Sequence, residues 1–148
     1  MLIRRLQRDD LRELLALYRY LHAADEPLPE PAIVDSVWSE LLANASYLYY
    51  GGFFAEQLVS SCTLTIVPNL TRGCRPYGLV ENVVTHSSHR RKGYATQLLR
   101  EALRDAWAEN CYKVMLLTGR KDESTFRFYE SAGFDRNAKQ AFVATPDA

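Results

Sequence analysis

Residues 78–117 leave this chain few ways to fold, because they read as strand, turn, helix and strand in immediate succession. A strand from about Gly78 ends at Val83-Val84-Thr85, and the basic turn His86-Ser87-Ser88-His89-Arg90-Arg91-Lys92-Gly93 follows. The helix opens at Tyr94-Ala95-Thr96, with Ala95, Leu98, Leu99, Ala102, Leu103 and Ala106 on one face and Arg100, Glu101, Arg104 and Asp105 on the other. Val114-Met115-Leu116-Leu117, ended by Thr118-Gly119, is the run expected of a strand buried on both faces. Such a unit is a right-handed crossover whose two parallel strands expose their carboxyl ends beside the helix N-terminus. That terminus carries N–H groups no helical carbonyl can satisfy, at the positive end of the helix dipole, so the turn is an anion site. Gly93 lets a ligand approach the backbone closely.

The remaining segments build a sheet around this unit. Leu2-Ile3-Arg4-Arg5-Leu6 is strand-like, and Asp9 or Asp10 caps a helix with Leu11, Leu14, Leu15, Tyr18 and Leu21 on one face. Three prolines between Pro27 and Pro31 make a loop, after which Ile33, Val37, Trp38, Leu41 and Leu42 pattern a second helix to about Asn44. Residues 47–54 and 58–67 are rich in Tyr, Phe, Val, Thr and Ile, and Ala55-Glu56-Gln57 between them reads as a hairpin turn. A polar excursion from Pro68 to Pro76 leads back to the strand at Gly78. Asp122 caps a last helix from Ser124 to Ser131, Gly133 closes it in the left-handed region, and Phe134 to Val143 reads as a final strand. The predicted class is α+β, a mixed α/β chain of order β-α-α-β-β-β-α-β-α-β, without an internal repeat.

Composition excludes several classes. A chain of 148 residues is expected to form a single domain over 1–148. Lys plus Arg and Asp plus Glu number 18 each, so no global field holds the protein on nucleic acid or an anionic membrane. Cys62, Cys74 and Cys111 are odd in number and lack Cys-x-x-Cys spacing, which argues against a disulfide framework and a structural zinc. Without a signal-type stretch after Met1 or a run approaching ~18 apolar residues, a cytoplasmic protein without a membrane span is expected.

Arg90, Gly93 and Ala95 occupy the three fixed places of a pyrophosphate loop written Gln/Arg-x-x-Gly-x-Gly/Ala. After one further strand comes Phe128-Tyr129-Glu130-Ser131-Ala132-Gly133-Phe134. With the order of elements, these motifs resemble the GNAT superfamily of acetyl-CoA-dependent N-acetyltransferases over most of the chain. The resemblance implies a central mixed, mostly antiparallel twisted sheet flanked by helices. It implies that the turn Arg90, Arg91, Lys92, Gly93, Tyr94, Ala95 and Thr96 holds the CoA pyrophosphate on its amides, while Val83, Val84 and Thr85 pair with the pantetheine arm as an added strand would. Thr125 and Phe128 are further cofactor-binding positions by the same likeness, as is Asp122, where the family commonly has Asn. A homodimer is plausible by the likeness alone.

An alkyl ammonium must lose a proton, of pKa near ~10, before it attacks a thioester. Glu81, on the strand leading to the pantetheine site, is the candidate base, directly or through water; a salt-bridged strand carboxylate is the other reading. A backbone donor near Val83 would stabilise the developing oxyanion. The family position makes Tyr129 the general acid for the thiolate, against a purely packed aromatic, in a direct transfer. Arg90-Arg91-Lys92 without interleaved aromatics is not read as a nucleic-acid patch, and His86, His89 and Cys74 lack the ligand set of a metal site, so no metal is expected. Two loops are expected to rim the acceptor: one with Asp25, Glu26 and Glu30, the other with Arg72 and Arg75, which together suit a small amine bearing an acidic group. Cys111-Tyr112-Lys113 and Glu81-Asn82-Val83-Val84 are similar to segments of glucosamine-phosphate acetyltransferases within the superfamily. Aminoalkylphosphonates, polyamines and protein amino groups remain open acceptors, and a catalytically idle acyl-CoA-binding module is the alternative from another class.

Overall fold

The computed structural model describes residues 1–146. Its sheet has the order β1-β2-β3-β4-β5, with β1 Leu2–Arg5, β2 Tyr47–Phe54, β3 Gln57–Val67, β4 Tyr77–Thr85 and β5 Val114–Leu116. Neighbours β1 to β4 are antiparallel and β4 with β5 is parallel. The helices are α1 Leu11–Tyr18, α2 Pro31–Ala43, the single turn α3 Thr71–Cys74, α4 Tyr94–Ala108 and α5 Glu123–Ala132.

Alternation along the strands gives the sheet two apolar faces. Tyr50, Cys62, Leu64 and Val80 pack beneath Leu98, Leu99, Ala102 and Ala106 of α4, with Phe128, Tyr129 and Phe134 at the margin. On the other face Phe53, Leu58 and Val84 meet Leu14 and Leu17 of α1 and Trp38 of α2. The indole of Trp38 also donates to Arg8 O at 3.2 Å, which ties α2 to the turn before α1. Asp10 does not cap α1 with its side chain as expected. Its carboxylate instead accepts Gln7 N at 2.6 Å and both Arg4 guanidinium nitrogens at 2.7 and 2.9 Å, so it bolts that turn onto β1.

Two backbone features were not expected. The β2–β3 hairpin turns on Ala55 and Glu56, both left-handed at φ 48 and 67, the geometry that suits the strand twist but usually selects Asn or Gly. In β4 the register moves from Thr63↔Glu81 to Ser61↔Val84, so two steps on β3 oppose three on β4. This bulge holds Asn82 at φ 52 and bends the end of β4 away from a regular ladder.

Four expectations are corrected. α1 ends at Tyr18 and gives way to turns through Leu21, and Asn44 leaves α2 extended (φ −96, ψ 116) rather than left-handed. β5 spans three residues that are only partly buried, and stands at the sheet edge. No strand forms over Phe134–Val143: the Arg136 guanidinium is bound to Glu123 and Glu130 of α5, and residues 138–146 lie exposed without a ladder partner. The class and the remaining order stand as expected.

Candidate active site

The parallel strands β4 and β5 pair only from Gly78↔Val114 to Val80↔Leu116. Beyond the Asn82 bulge they separate, opening a cleft of about 920 Å³. Glu81, Val83 and Thr85 form one wall; Leu117, Thr118 and Gly119 form the other. The N-terminus of α4, Phe128 and Tyr129 of α5, and Tyr20 to His22 of the segment after α1 line it as well.

At the α4 end the backbone offers donors to the cleft. Gly93 is the N-cap at φ 77, with no side chain capping the helix, and the first intrahelical bond is Gln97 N to Gly93 O at 3.1 Å. Arg91, also left-handed at φ 60, turns the chain just before it. A Cβ on Gly93 would meet no atom within 4 Å, so the space before these amides is open. Arg91, Gly93, Tyr94, Ala95 and Thr96 all line the cleft, whereas Lys92 does not. Arg90 lines it too, but its guanidinium is bound to backbone, Nε to Thr85 O at 3.2 Å and Nη2 to Tyr20 O at 3.4 Å. It therefore fastens the turn to β4 and to the segment after α1. The Tyr20 hydroxyl lies 3.0 Å from His86 Nε2, and Ser88 Oγ contacts Nδ1 of His86 at 2.8 Å and of His89 at 2.9 Å. Both His86 nitrogens are thus engaged, and among the described residues no group of three His, Cys, Asp or Glu side chains is placed to hold a metal ion.

The two candidate proton-transfer groups share the same cleft. Tyr129 is half-buried, and burial pushes its hydroxyl above the usual tyrosine range; the Arg120 charge opposes the shift, while Cys62 and Glu81 add to it. Glu81 is exposed to the cleft. The end of β4 is held from the far side: Ser60 Oγ lies 3.0 Å from Val84 O and 2.8 Å from Thr85 Oγ1. The Val84 side chain is buried toward α1, so only its backbone is available to a ligand.

Asp122 is placed differently from expectation. Its carboxylate caps α5, accepting Thr125 N at 2.9 Å and the Ser124 hydroxyl at 2.6 Å, and those bonds hold it down to about 2. It does not line the cleft, though Thr125 and Phe128 do. The proposed acceptor loops also fall elsewhere. Arg75 donates to Asn110 O and Cys111 O at 3.2 and 3.1 Å, and Arg72 lies over the Tyr112 ring at 5.6 Å, both at the amino end of β4. None of Arg72, Arg75, Asp25, Glu26 and Glu30 reaches the cleft. Arg120 does, and sequence reasoning passed over it although it lies just past the carboxyl end of β5, where ligands of parallel strands gather.

Comparison with known proteins gives this arrangement a lineage. A family model described as "Acetyltransferase (GNAT) family" matches residues 8–134. A solved structure from Agrobacterium tumefaciens str. C58, assigned as an acetyltransferase, is 39% identical with TM-score 0.89, covering 98% of this chain and 100% of its own. A Trypanosoma brucei acetyltransferase structure is 27% identical with TM-score 0.79, covering 97% and 99%. A protein named glucosamine 6-phosphate N-acetyltransferase, from Trypanosoma brucei brucei, is 34% identical over 84 residues. That match covers 57% of this chain and 55% of the relative, so the chain aligns with about half the length of the curated relative.

Proposed function

The chain belongs to the GNAT family of acetyltransferases, and from that premise we propose that it is an acetyl-CoA-dependent N-acetyltransferase acting on a primary amine of a small molecule by direct transfer. One observation carries the reading: a single cleft joins an uncapped helix N-terminus to a half-buried tyrosine and a carboxylate. The open space before Gly93 fits a pyrophosphate, and the amides from Arg91 to Thr96 would hold it. The unpaired edge of β4 at Val83 to Thr85 would pair with the pantetheine arm as an added strand does. When bound, acetyl-CoA supplies the activated acetyl thioester.

The chain's own residues move the protons. Glu81 takes the proton from the ammonium, directly or through a water, since the amine is otherwise protonated at neutral pH. A backbone N–H near Val83 faces the charge that develops on the carbonyl oxygen. Tyr129 donates its proton to the departing thiolate, and the second proton shed by the nitrogen as it becomes an amide restores the phenol; the raised pKa keeps the phenol protonated at neutral pH. The C–N bond forms as the C–S bond breaks, and no group of the protein is acylated.

The chain acts as one N-acetyltransferase domain over 1–148. A cytoplasmic location suits its three free thiols, and no helix of the described residues is long and apolar enough to cross a membrane. An amino sugar phosphate is a reasonable first acceptor to try, because the trypanosomal relative is named for one. The test is thiol release from acetyl-CoA across amino sugars, aminophosphonates, polyamines, amino acids and peptides, beside calorimetric titration of acetyl-CoA. Turnover with a small amine is expected. Binding without turnover would make the protein an acyl-CoA-binding module, turnover with peptides alone would move the acceptor to a protein amino group, and absence of binding would remove the proposal.

A further inference from the structure

We infer that His86 and Tyr20 are positioning residues for the donor site: they clamp the segment after α1 onto the turn 86–93, and the clamp holds only while His86 is uncharged. The turn needs such a support. It carries two left-handed residues, Arg91 at φ 60 and Gly93 at φ 77, and no residue from 86 to 93 is buried. Amides in such a segment bind an anion well only if their positions are fixed beforehand. Contacts that fix them converge on the His86 ring. Ser88 N donates to Nδ1 at 3.2 Å, and Ser88 Oγ lies 2.8 Å from the same nitrogen. The Tyr20 hydroxyl lies 3.0 Å from Nε2, with the two rings 4.4 Å apart, centroid to centroid. The main chain of the same tyrosine is tied as well, because Arg90 Nη2 donates to Tyr20 O at 3.4 Å.

One backbone amide sets every proton along this chain of contacts. Ser88 N–H points at His86 Nδ1, so Nδ1 carries no proton, and the neutral ring holds its proton on Nε2 and donates it to the Tyr20 hydroxyl. At 2.8 Å from a bare Nδ1 the Ser88 hydroxyl must donate too, which leaves its oxygen to accept from His89 Nδ1 at 2.9 Å. The His89 ring in turn lies 5.6 Å from that of Phe54 in β2 and 6.1 Å from that of Tyr94 in α4, which anchors the chain of contacts. His89 keeps its bond to Ser88 whether neutral or charged. His86 differs, because a second proton could go only to Nδ1, against the amide proton of Ser88. Its surroundings do not offset that conflict. His89, Arg90, Arg91 and Lys92 in the turn and His22 after Tyr20 are cations or become so under acid, and among the described residues none of them is ion-paired with a carboxylate. A charged His86 therefore leaves the cap, and Tyr20 loses its partner. Tyr20, Leu21 and His22 line the cleft together with Arg91 and Gly93, so the clamp fixes two parts of one lining to each other.

The consequence for donor binding rests on the acetyl-CoA reading, whereas the clamp itself is testable without a ligand. In NMR spectra of the full chain between about pH 8 and about pH 5, where imidazole takes up its proton, the amides of 20–22 and of Ser88 should shift with the same midpoint as the His86 ring. The amide oxygen of His86→Asn can still accept from Ser88 N but neither titrates nor reaches Tyr20, so that variant should keep the far-UV spectrum and lose the shift at 20–22. Amides of 20–22 that do not follow His86, or that shift equally in His86→Asn, overturn the clamp. Calorimetry and kinetics then read its function. At neutral pH Tyr20→Phe and His86→Asn should each bind acetyl-CoA about three- to tenfold more weakly, with KM raised to match and kcat held within about twofold. The wild-type advantage over His86→Asn should vanish toward about pH 5, a comparison in which the titration of acetyl-CoA itself cancels. An advantage constant with pH would make His86 a packing residue, and one that grows under acid would make it a cationic contact for the donor; either overturns the inference. Failure of every form to bind acetyl-CoA, with the NMR response present, would remove the acetyl-CoA reading and leave the clamp standing.

Discussion

Replacing Tyr129 by Phe removes one hydroxyl and nothing else, and the structure sets what should follow. The ring lies 4.7 Å from Phe128 and 6.4 Å from Phe134, centroid to centroid, and those contacts survive the change. The forces that set the hydroxyl's pKa are burial first, then the charges of Arg120 and Glu81, with no hydrogen bond to the protein among them. Its removal thus orphans no partner, and stability should shift by less than about 0.5 kcal/mol. Acetyl-CoA affinity should hold within about twofold for the same reason.

The effect belongs in kcat. A positioned acid contributes ~10²- to 10⁴-fold, and a thiolate, with a conjugate acid near ~8.5, is a good leaving group that needs the smaller help, so a loss of about 100-fold is expected. The pH profile carries the sign. Because burial raises the folded pKa, wild-type Tyr129 stays protonated past the ordinary tyrosine value of about 10, and the alkaline limb should not turn down before that point. Steady-state kinetics across neutral to alkaline pH, with calorimetry for acetyl-CoA, checks both statements. Full activity of the variant at every pH would refute the assignment of the acid. A fall in kcat matched by an equal fall in acetyl-CoA affinity and melting temperature would show Tyr129 to be a packing residue.

Glu81→Gln should lower kcat/KM at neutral pH by about 100-fold, and the deficit should shrink as pH approaches the amine's own value near ~10, where no base is needed; a deficit independent of pH would dismiss the base role. Gly93→Val forces a β-branched residue to φ 77, at a cost of about 1–2 kcal/mol, and aims its methyls into the open space before the amides. Calorimetry should register acetyl-CoA binding at least about tenfold weaker; unchanged affinity would show that the pyrophosphate lies elsewhere. Asp10→Asn should cost about 1–2 kcal/mol at neutral pH by removing the charge and one of the two oxygens that accept from Arg4 and Gln7 N. Hydrogen bonds from Arg4 lower the folded pKa of Asp10, with burial opposing, so this stability is complete above the ordinary carboxylate range and is lost as pH falls below it. Denaturant melts should therefore show the difference between the two proteins narrowing under acid, and a constant gap would contradict the assignment.

Much of this was legible because it depends on short-range rules. The stripe of α4, the Asp122 cap and the left-handed Gly133 of α5, and the composition of β2 and β3 each declare themselves within a dozen residues. The crossover then dictated where an anion could bind. What stayed hidden depends on partners distant in sequence. Arg75 announces a positive charge, but nothing near it tells that two carbonyls of the α4–β5 connection will take its donors. Arg90 matched a phosphate-loop pattern, yet its guanidinium serves Thr85 O and Tyr20 O. Residues 134–143 have the content of a strand, a property of the segment itself; whether a ladder forms is a property of the edge it meets.

The cleft exists because β4 is bound more firmly to β3 than to β5. A regular parallel pair would close its ladder to the ends of both strands, but the extra residue at Asn82 shifts the register, and Ser60 and Arg90 then hold Val84 O and Thr85 O from outside that ladder. Tyr18 of α1 packs against the cluster that includes Val84, with its hydroxyl buried and without a hydrogen-bond partner. Unpaired backbone groups in a sheet are costly unless something else meets them. A three-residue strand with so little ladder of its own is poorly determined by the single chain, so a donor lying along its inner side past Leu116 should stabilise it: acetyl-CoA should slow hydrogen exchange at 114–117, and equal exchange with and without the donor would contradict this account.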